Sequence, residues 1–430
     1  MAAVSPGTDA FAESSARARD EADPSRRADF HIPPWPGASG REWAYFAGNS
    51  LGLQPRGATA AVAQELDVWA TLAVEGWFEG NEPWLTAADG MRGSLARLVG
   101  ADPEEVVAMN TLTVNLHLLM ATFYRPAPER FRIVIEDAAF PSDSHAVATQ
   151  AAHHGYDPAA AVVRLRARAG ESSLRSGDII AELERLRGSV ALVLLGGVNY
   201  LTGELLDIPA VTAAGHEIGA VVGWDLAHAA GNVPLDLHAW DVDWAAWCHY
   251  KYVNAGPGGP AGAFVHERHG RETTLPRLGG WWGNDPATRF RMEPGFVPRP
   301  GAVGWQVSTP PVLAFAPLRA SLALFDAVGM PALRERSVRL TGYLEELLSG
   351  IATEHRMQIL TPGDPAARGC QLSLAVPEAR ALSASLRSAY GVICDVREPD
   401  VVRFAPAPLY SSYLDCWRAA AALRELLPER

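Results

Sequence analysis

The chain has 430 residues, of which 48% are hydrophobic and 20% are charged, and its formal net charge is −12. This composition predicts a globular protein of two or three domains with a sizeable core. The acidic balance argues against nucleic acid and anionic membranes as partners, because both require a basic surface, and no run approaches the ~20 apolar residues of a membrane span.

The N-terminal part is predicted to change from disorder to order near Phe30. Residues 1–29 are polar and lack the apolar core of a signal peptide, so we expect a disordered lead-in, with some helix as the alternative. Residues 30–57 are expected to form an N-terminal segment that joins a small domain. Within it, prolines keep residues 31–37 extended, and residues 43–46 predict a short strand.

Residues 58–312 are predicted to form a large α/β domain. A helical pattern covers residues 58–72, and farther along the chain apolar runs alternate with helical patterns. This alternation predicts a mostly parallel, buried sheet of the seven-stranded type with right-handed crossovers. The predicted strands include residues 132–135, 161–165, 190–195, 220–223 and 261–265, and the helices between them include residues 144–153, 176–186 and 208–218.

Residues 313–430 are predicted to form a smaller α+β domain. Residues 313–348 show the pattern of one or two long helices that leave the large domain. The remainder mixes both kinds of element: strands at residues 371–376 and 401–404, and helices at residues 382–389 and 414–427.

Asp225 and Lys251 carry the first chemical signal. Asp225 ends an apolar, strand-like run, and ligands of doubly wound sheets bind at the carboxyl ends of strands. Its carboxylate could pair the pyridinium nitrogen of a cofactor, or it could cap a helix that begins at Leu226. Lys251 lies between Tyr250 and Tyr252, before a glycine-rich loop. A lysine shielded from water becomes a nucleophile toward an aldehyde, whereas a solvated surface lysine has no such role.

The order Asp–x–x–His, followed by a lysine before a glycine loop, is typical of fold-type I enzymes that use pyridoxal 5′-phosphate (PLP). Seven blocks in order make the chain resemble the kynureninase family, which is similar to the class V aminotransferases, over nearly all of its length beyond Phe30. The blocks are YFAGNSLGLQP (45–55), MNTLTVNLHLLM (109–120), FPSD (140–143), WDLAHAAGNVPLDLH (224–238), YKYVNAGPGG (250–259), GWWG (280–283) and VRFAPAPLY (402–410).

The resemblance implies roles for individual residues. Lys251 would carry PLP as a Schiff base, Asp225 would pair the ring nitrogen, and Tyr250 would relay protons. Phe140 would stack on the ring, although Phe140 and Trp281 taken singly could equally be core packing. The implied cofactor-binding residues are Leu112, Thr113, Phe140, Pro141, Ser142, Asp143, Asp225, His228, Tyr250, Lys251, Trp281 and Thr309.

The substrate site is implied in the same way. Arg403 would form a bidentate clamp on the substrate carboxylate, and Asn49 and Ser50 would line the entrance to that clamp. The implied substrate-binding residues are Asn49, Ser50, Trp77, Ser308, Thr309 and Arg403.

Three positions bear on activity and specificity. Gly196 stands where family members carry a hydroxyl residue, so a contact to Asp143 or to the ring oxygen is expected to be missing or supplied by water. Trp77 and Thr309 match the bulky aromatic residue and the threonine of bacterial family members that favour plain L-kynurenine. Animal members, which favour the 3-hydroxylated substrate, carry His and Asn there.

The resemblance implies hydrolysis of L-kynurenine, or of a ring-substituted kynurenine such as 3-hydroxykynurenine, to an anthranilate and L-alanine. It also implies a homodimer with active sites at the subunit interface. The sequence leaves open the ring substitution and the pathway.

Two rival functions stay open. A cysteine desulfurase of the same fold needs a mobile reactive cysteine, and none of the four cysteines lies in a persuasive glycine- or serine-rich loop. Those cysteines (Cys248, Cys370, Cys394 and Cys416) form no CxxC pair, so we expect reduced thiols in a cytoplasmic protein and no metal site. The other rival is a PLP-binding sensor without turnover, against which intact Lys251, Asp225 and Arg403 argue.

Overall fold

The computed structural model describes residues 10–429. The strands are β1 Phe30–His31, β2 Ala44–Tyr45, β3 Gln54–Pro55, β4 Val106–Met109, β5 Arg132–Glu136, β6 Val162–Leu165, β7 Val190–Gly196, β8 Val221–Asp225, β9 Trp244–Cys248, β10 Ala261–Val265, β11 Gln358–Ile359, β12 Leu372–Ala375, β13 Val392–Ile393, β14 Asp395–Arg397 and β15 Val401–Phe404. The helices are α1 Glu13–Ala22, α2 Gly57–Leu72, α3 Arg92–Val99, α4 Leu112–Phe123, α5 Pro141–His153, α6 Pro158–Ala161, α7 Ser176–Arg185, α8 Ile208–Glu217, α9 Glu267–Gly270, α10 Pro286–Arg289, α11 Val312–Val328, α12 Met330–Glu354, α13 Ala379–Tyr390 and α14 Tyr413–Leu426. Short 3₁₀ helices lie at Arg27–Asp29, Ala73–Trp77, Trp84–Thr86, Asp89–Met91, Pro103–Glu105, Ala302–Trp305 and Pro365–Ala367.

A seven-stranded sheet organises the larger of two compact units, which takes residues Gly57–Tyr200 and Leu205–Ala327. Its strand order is β4-β10-β9-β8-β7-β5-β6. The pairs from β9 to β6 are parallel, whereas β10 runs antiparallel to both β4 and β9. The prediction of a mostly parallel seven-stranded sheet is therefore confirmed. The sequence prediction left out β9, whose apolar residues come directly before the segment that carries Lys251.

Two glycine–tryptophan pairs allow β8, β9 and β10 to pack tightly. Gly223 lies opposite Trp244, and Gly262 lies opposite Trp247. A Cβ atom added at either glycine would come within 2.2 Å of the facing indole ring. Each glycine is needed because the indole fills the space that its side chain would take, and both tryptophans are fully buried.

A four-stranded antiparallel sheet, in the order β11-β12-β15-β14, organises the smaller unit. This unit takes Leu201–Glu204 and the described parts of Met1–Arg56 and Val328–Arg430. Its core joins residues of α12, α13 and α14 to the inner face of the sheet, with Leu344, Leu386, Val402 and Leu423 all fully buried. The strand β2 pairs in parallel with β13, which ties the N-terminal segment to this unit.

Residues 1–29 were expected to be mainly disordered. For the described residues 10–29 this expectation is wrong, because they contain α1. Residues 1–9 lie outside the described residues. The helix α1 packs against α14, and Ala16 is fully buried between them. Farther on, the Arg27 guanidinium lies 2.8 Å from the buried Asp415 carboxylate. Polar composition concealed this order, because the stabilising partners are distant in sequence.

The boundary between the units also differs from the expected division after residue 312. The helix α11 belongs to the larger unit, where Arg319 pairs with Glu65 and the Ser321 hydroxyl donates to the Val253 carbonyl. The chain turns at Gly329 (φ 82°), a left-handed conformation that favours glycine, before α12 begins. Within the described residues, no single helix is both long and apolar enough to cross a membrane; α11 and α12 meet that test only as a pair bent at Gly329.

We expect Asp20→Ala to lower the free energy of unfolding by about 1 kcal/mol, the usual value of a helix cap. The Asp20 carboxylate accepts hydrogen bonds from the backbone N–H groups of Tyr413 (2.8 Å) and Leu414 (2.9 Å), which begin α14. Denaturant unfolding measures the change. The exposed neighbour Glu21 provides the control, since Glu21→Ala removes a carboxylate without a cap. Equal stability of the two variants would contradict this account of α1.

Candidate active site

A half-open cavity of about 230 Å³ lies at the carboxyl ends of the parallel strands of the larger unit. Parallel pairing brings the last residues of β5, β7 and β8 to one edge, and Lys251 follows β9 at the same edge. The cavity is lined by Thr111, Leu112, Thr113, Glu136, Ala139, Phe140, Ser142, Asp143, Gly196, Val198, Asn199, Tyr200, Asp225, Ala227, His228, Tyr250 and Lys251.

Lys251 is a largely buried amine in this cavity, with 9% of its surface exposed. Its Nζ atom lies 3.1 Å from Nε2 of the buried His228. Nζ also lies 5.7 Å from the centre of the Phe140 ring and 6.0 Å from that of Tyr250. Burial among rings and next to an imidazole removes this amine from bulk water, so the solvated surface lysine considered from the sequence is excluded.

A buried histidine holds the turn that carries Lys251. The Trp247 indole N–H donates to His249 Nε2 (2.8 Å), so the His249 Nδ1–H donates to the Pro260 carbonyl (2.7 Å). Burial lowers the pKa of His249 to about 4, so the ring is neutral at pH 7 and keeps this tautomer. These bonds fasten residue 249 to the far end of the glycine-rich loop and fix the backbone next to Lys251.

Three carboxyl groups meet at the cavity floor: Glu136, Asp143 and Asp225, all at least nine-tenths buried. Burial, followed by the charge of Asp225 and a hydrogen bond with it, raises the pKa of Asp143 well above its ordinary value, and Glu136 adds to the effect. Asp143 therefore gives up its proton at a higher pH than an ordinary aspartate does. Asp225 also accepts from the Ala227 N–H (2.7 Å) in a turn, and no helix begins at Leu226.

Glu136 occupies the space beside Gly196, where a hydroxyl residue was expected in other family members. The Gly196 N–H donates to Glu136 Oε1 at 3.1 Å, and a Cβ atom at position 196 would lie 3.0 Å from the same oxygen. The Glu136 charge reaches Asp143. A carboxylate of the chain itself thus lies beside Gly196, while the expected loss of a contact to Asp143 or to the ring oxygen stays a prediction.

The start of α4 presents backbone donors to the cavity. The N–H groups of Leu112 and Thr113, in the first turn, have no acceptor within the helix. The preceding loop is set by Asn110, whose positive φ (48°) is unusual for a residue with a side chain. The buried Asn115 fixes it, accepting from Asn110 Nδ2 (2.9 Å) and donating to the Met109 carbonyl (3.1 Å). This end of the cavity is suited to an anion.

Tyr250 contributes a phenol that keeps its proton. Burial, together with the neighbouring Cys248, raises the pKa of Tyr250 above its ordinary range. Its hydroxyl can therefore donate a hydrogen bond across the neutral pH range. Tyr200, which sequence reasoning did not single out, packs edge-on against Phe140 with 5.2 Å between ring centres and orients that ring at the cavity wall.

Arg403 and Ser50 form a second polar centre, in the smaller unit. Arg403 is fully buried on β15; its Nε donates to Asp395 Oδ1 (2.6 Å), and its Nη2 contacts the other Asp395 oxygen and Ser50 Oγ (3.3 Å). Asn49 Nδ2 donates to Gln371 Oε1 (2.8 Å), whereas the buried Asn49 Oδ1 has no hydrogen-bond partner among the described residues. The structure thus brings Ser50 to Arg403, and Asp395 is a residue that sequence reasoning missed.

Several implied residues do not line the cavity of this chain. Trp77 packs against Trp282 with 5.6 Å between ring centres, and Trp281 contacts Trp282 and Phe290. With Phe78, which faces Phe290, these residues form what we call the aromatic patch. Phe78, Trp281 and Phe290 are each about half exposed. The implied residues outside the cavity lining are Asn49, Ser50 and Arg403 of the smaller unit, together with Trp77, Pro141, Trp281, Ser308 and Thr309.

One signal was present in the sequence and was not used: Lys251 is the only lysine in all 430 residues. Its selection as a candidate amine therefore needed no motif. By contrast, Glu136 and Asp395 lie in ordinary strand sequences, and only their three-dimensional neighbours identify them.

Comparison with known proteins places this geometry in a class. The family model described as Aminotransferase class-V matches residues 45–362, and the model described as Kynureninase C-terminal domain matches residues 333–423. The first match covers most of the chain, so the protein belongs to the class V aminotransferase group. Within that group, the chain belongs to the kynureninase family.

Curated relatives support this family assignment over nearly the whole chain. The kynureninase of Salinispora tropica is 58% identical over 413 residues, which cover 96% of each chain. That of Myxococcus xanthus is 53% identical over 414 residues and also covers 96% of each. That of Koribacter versatilis is 52% identical and covers 93% of this chain and 94% of the relative.

Solved structures support the fold. The cystine C–S lyase C-DES in complex with cysteine persulfide has a TM-score of 0.76 at 20% identity, covering 92% of this chain and all of that chain. The cysteine desulfurase CsdA of Escherichia coli has a TM-score of 0.74 at 20% identity, covering 94% and 98%. A C-DES mutant holds glycine linked to its PLP cofactor. The fold-type I prediction is confirmed.

We expect Asp143→Asn to stabilise the ligand-free protein, and to do so more at high pH. Because the pKa of Asp143 is raised on folding, the wild type loses stability as the pH rises from the ordinary aspartate value near 3.8 through the raised value, whereas asparagine does not titrate. Denaturant unfolding at pH 5 and pH 8 measures the difference. Asp137→Asn, at an exposed site, is the control. Parallel stability curves for wild type and Asp143→Asn would contradict the assignment.

Proposed function

We propose that this protein is a PLP-dependent hydrolase that converts L-kynurenine, or a ring-substituted kynurenine, to L-alanine and the corresponding anthranilate. The observation that carries the proposal is the placement of Lys251, the single lysine, in a cavity with a buried carboxylate and an anion-binding helix start. The family assignment supplies the reaction, and the cavity supplies the groups that the reaction needs.

The residues present fit PLP. The backbone donors of Leu112 and Thr113 suit its phosphate, and the buried Asp225 suits its ring nitrogen. Lys251 Nζ lies over the face of the Phe140 ring, so the ring of a cofactor held at Lys251 could stack on that face. Asp143, whose pKa is raised by burial and by Asp225, suits an oxygen acceptor on the ring when it carries its proton. When bound, PLP supplies an electron sink for the negative charge that develops on the substrate.

The side chains of the chain divide the proton transfers between them. Lys251, once released by the substrate amine, is placed to take the proton from the substrate α-carbon, and His228 Nε2 stands 3.1 Å away to orient it. The Tyr250 phenol keeps its proton and is a second candidate, after Lys251, for a role in proton transfer, in this case as a proton donor. One water adds to the γ-carbonyl and the Cβ–Cγ bond breaks, so that the carbonyl carbon leaves as the carboxyl group of anthranilate and Cα and Cβ remain in alanine.

Arg403 is the proposed anchor of the substrate α-carboxylate. A guanidinium offers two parallel N–H donors to a carboxylate, and a buried one does so without competition from water. Ser50 contacts Arg403, and the unpartnered Asn49 Oδ1 offers a buried acceptor to a ligand. Both observations support a polar ligand at this centre.

A homodimer is proposed because the implied site is incomplete in one chain. The cavity is half open, and Trp281 and Thr309 do not line it. The exposed face of the aromatic patch, with Trp281 47%, Phe290 51% and Phe78 53% exposed, is a candidate interface. A second copy would cover this face, and its own Trp281 and Thr309 would complete the cavity.

Cysteine desulfuration is the rejected alternative. It requires a reactive thiolate, yet Cys248, Cys370 and Cys416 are buried, and burial raises the pKa of the part-buried Cys394 to about 12. The free state of all four thiols supports the proposed cytoplasmic location, since that compartment keeps cysteines reduced.

We expect Lys251→Ala to lose covalent cofactor and nearly all turnover, at least about 10³-fold. Borohydride reduction followed by peptide mass spectrometry should find one modified lysine in the wild type and none in the variant, which contains no lysine. Anthranilate fluorescence measures turnover with L-kynurenine. Arg187→Lys, an exposed conservative change, should be unaffected. Turnover by Lys251→Ala near the wild-type rate would contradict the proposal.

Trp77 and Thr309 do not line the cavity of this chain, so on the homodimer proposal they would reach the substrate from a second copy. On that basis we expect a modest preference for L-kynurenine over 3-hydroxykynurenine, because an indole at position 77 leaves an aryl hydroxyl poorly paired. An apolar site rejects an added hydroxyl by roughly two decades at most. Competition between the two substrates in one vessel measures the ratio of kcat/KM. Trp77→His combined with Thr309→Asn should shift it toward the hydroxylated substrate. A ratio of about tenfold or more in favour of 3-hydroxykynurenine in the unaltered protein would overturn this expectation.

A further inference from the structure

We propose that a second cavity of the larger unit is a binding site for a small aromatic carboxylate. This cavity is half open, holds about 680 Å³, and lies between the helices α4 and α5 and the loop at residues 276–278. It shares no lining residue with the active-site cavity. None of its residues has a role in the proposed reaction, so the site is a function additional to kynurenine hydrolysis.

Part of the cavity lining is apolar. Val114, Leu118 and Ala121 follow one face of α4, and Pro276 and Leu278 come from the loop. Val114 is 52% exposed and Leu278 is 58% exposed, which is unusual for side chains of this kind. A ligand with an apolar body would remove both from water, and a concave, partly apolar surface is typical of small-molecule sites.

The polar part of the lining is basic. Arg125 and Arg277 line the cavity, and neither forms an ion pair with a carboxylate among residues 10–429. Their guanidinium groups bind backbone carbonyls instead: Arg125 those of Ala121 (2.8 Å) and Thr122 (2.9 Å), and Arg277 that of Glu272 (2.7 Å). The Glu272 carboxylate is exposed to water and does not line the cavity, and no other Asp or Glu of the described chain lines it. The cavity is therefore suited to an anion.

Arg125 keeps a donor for such an anion. Its Nε and Nη2 atoms bind the carbonyls at the end of α4, and Nη2 also reaches the Pro276 carbonyl (3.4 Å). These bonds explain where the side chain lies, and they hold the loop against α4. Within residues 10–429, Nη1 makes no hydrogen bond. One edge of a fixed guanidinium thus remains for a carboxylate.

His117 supplies a second donor. The Gln150 amide nitrogen lies 3.2 Å from the His117 carbonyl and 3.1 Å from His117 Nδ1. Because the carbonyl only accepts, this nitrogen is the donor in both contacts, and Nδ1 is the acceptor. Burial lowers the pKa of His117, so its ring is neutral at pH 7 and carries its proton on Nε2. That N–H is not used by any described residue.

Gln150 and the surrounding rings narrow the chemical class of the ligand. Gln150 is 8% exposed, and its Oε1 atom is buried with no hydrogen-bond partner among the described residues. An N–H or O–H group of a ligand would satisfy this acceptor. The imidazole rings of His117, His153 and His154 offer flat faces for an aromatic body. The ligand class is an aromatic carboxylate that also carries a hydrogen-bond donor, and anthranilate is a member of that class.

The test measures anthranilate bound to the cofactor-loaded protein by equilibrium dialysis. Thr149 is exposed on α5 and lines this cavity but not the active-site cavity. We expect Thr149→Glu, which adds a carboxylate, to weaken one class of anthranilate sites by at least about tenfold through repulsion between like charges. Thr149→Gln, the uncharged match in size, should keep that class within about twofold. Both variants should hydrolyse L-kynurenine with the wild-type kcat/KM.

A second variant and two further ligands test the carboxylate contact. Arg125→Lys keeps the charge but loses the fork, so it should weaken the same class of sites about tenfold. Arg187→Lys, the same exchange at an exposed position, is the control and should have no effect. Benzoate should displace anthranilate from the wild type, although about threefold less well because it has no donor for Gln150. Aniline, which has no carboxylate, should not displace it.

Three results would overturn the inference. The first is equal anthranilate binding by the wild type and Thr149→Glu. The second is displacement by aniline as effective as that by benzoate, which would indicate an apolar cavity without selectivity for anions. The third is a wild type that lacks this class of sites; if Leu278→Glu then lowers the molar mass measured by light scattering, a second copy of the chain covers the cavity instead.

The proposed reaction is tested separately. If the protein binds anthranilate at a site sensitive to Thr149→Glu but releases none from L-kynurenine, the reaction fails and the binding site stands. If it releases anthranilate from L-kynurenine and Thr149→Glu leaves all anthranilate binding unchanged, the reaction stands and the binding site fails.

Discussion

The parallel pairing of β5, β7 and β8 is the constraint on which the candidate active site depends. It brings the last residues of three strands, Glu136, Gly196 and Asp225, to one edge of a buried sheet. The next strand in the sheet, β9, delivers Lys251 to the same edge. A slip of one residue in any pairing would turn these side chains to the opposite face. The glycine–tryptophan pairs between β8, β9 and β10 oppose such a slip, because each indole fits only where the facing residue has no side chain.

The cavity and the arginine centre have opposite electrostatic characters. Around Lys251 three buried carboxyl groups lie together, and their burial and mutual repulsion raise the pKa of Asp143. Around Arg403 the buried guanidinium is paired with the Asp395 carboxylate. An excess of buried carboxyl groups suits a cationic group of a ligand, whereas a buried guanidinium suits a carboxylate.

The burial of charged groups at both centres has a consequence for stability. Interactions that suit a bound ligand do not favour the ligand-free fold, so the remaining structure must compensate. In the smaller unit, compensation comes from contacts distant in sequence, such as the capping of α14 by Asp20 and the pairing of Arg27 with Asp415. These contacts account for the order of the polar segment that includes α1.

The sequence by itself determined the fold class, the sheet type and the single candidate for a lysine amine. Alternating apolar runs and helical patterns are local properties, so they can be recognised in the sequence. The ordered motif blocks indicate the family, and the single lysine in the chain leaves one candidate for the lysine amine. Only the tertiary structure decided which carboxyl groups meet at the cavity floor, that Glu136 fills the space beside Gly196, and that Asp395 holds Arg403. Those contacts join residues on different strands, and their strength comes from shared burial, which no single segment of sequence expresses.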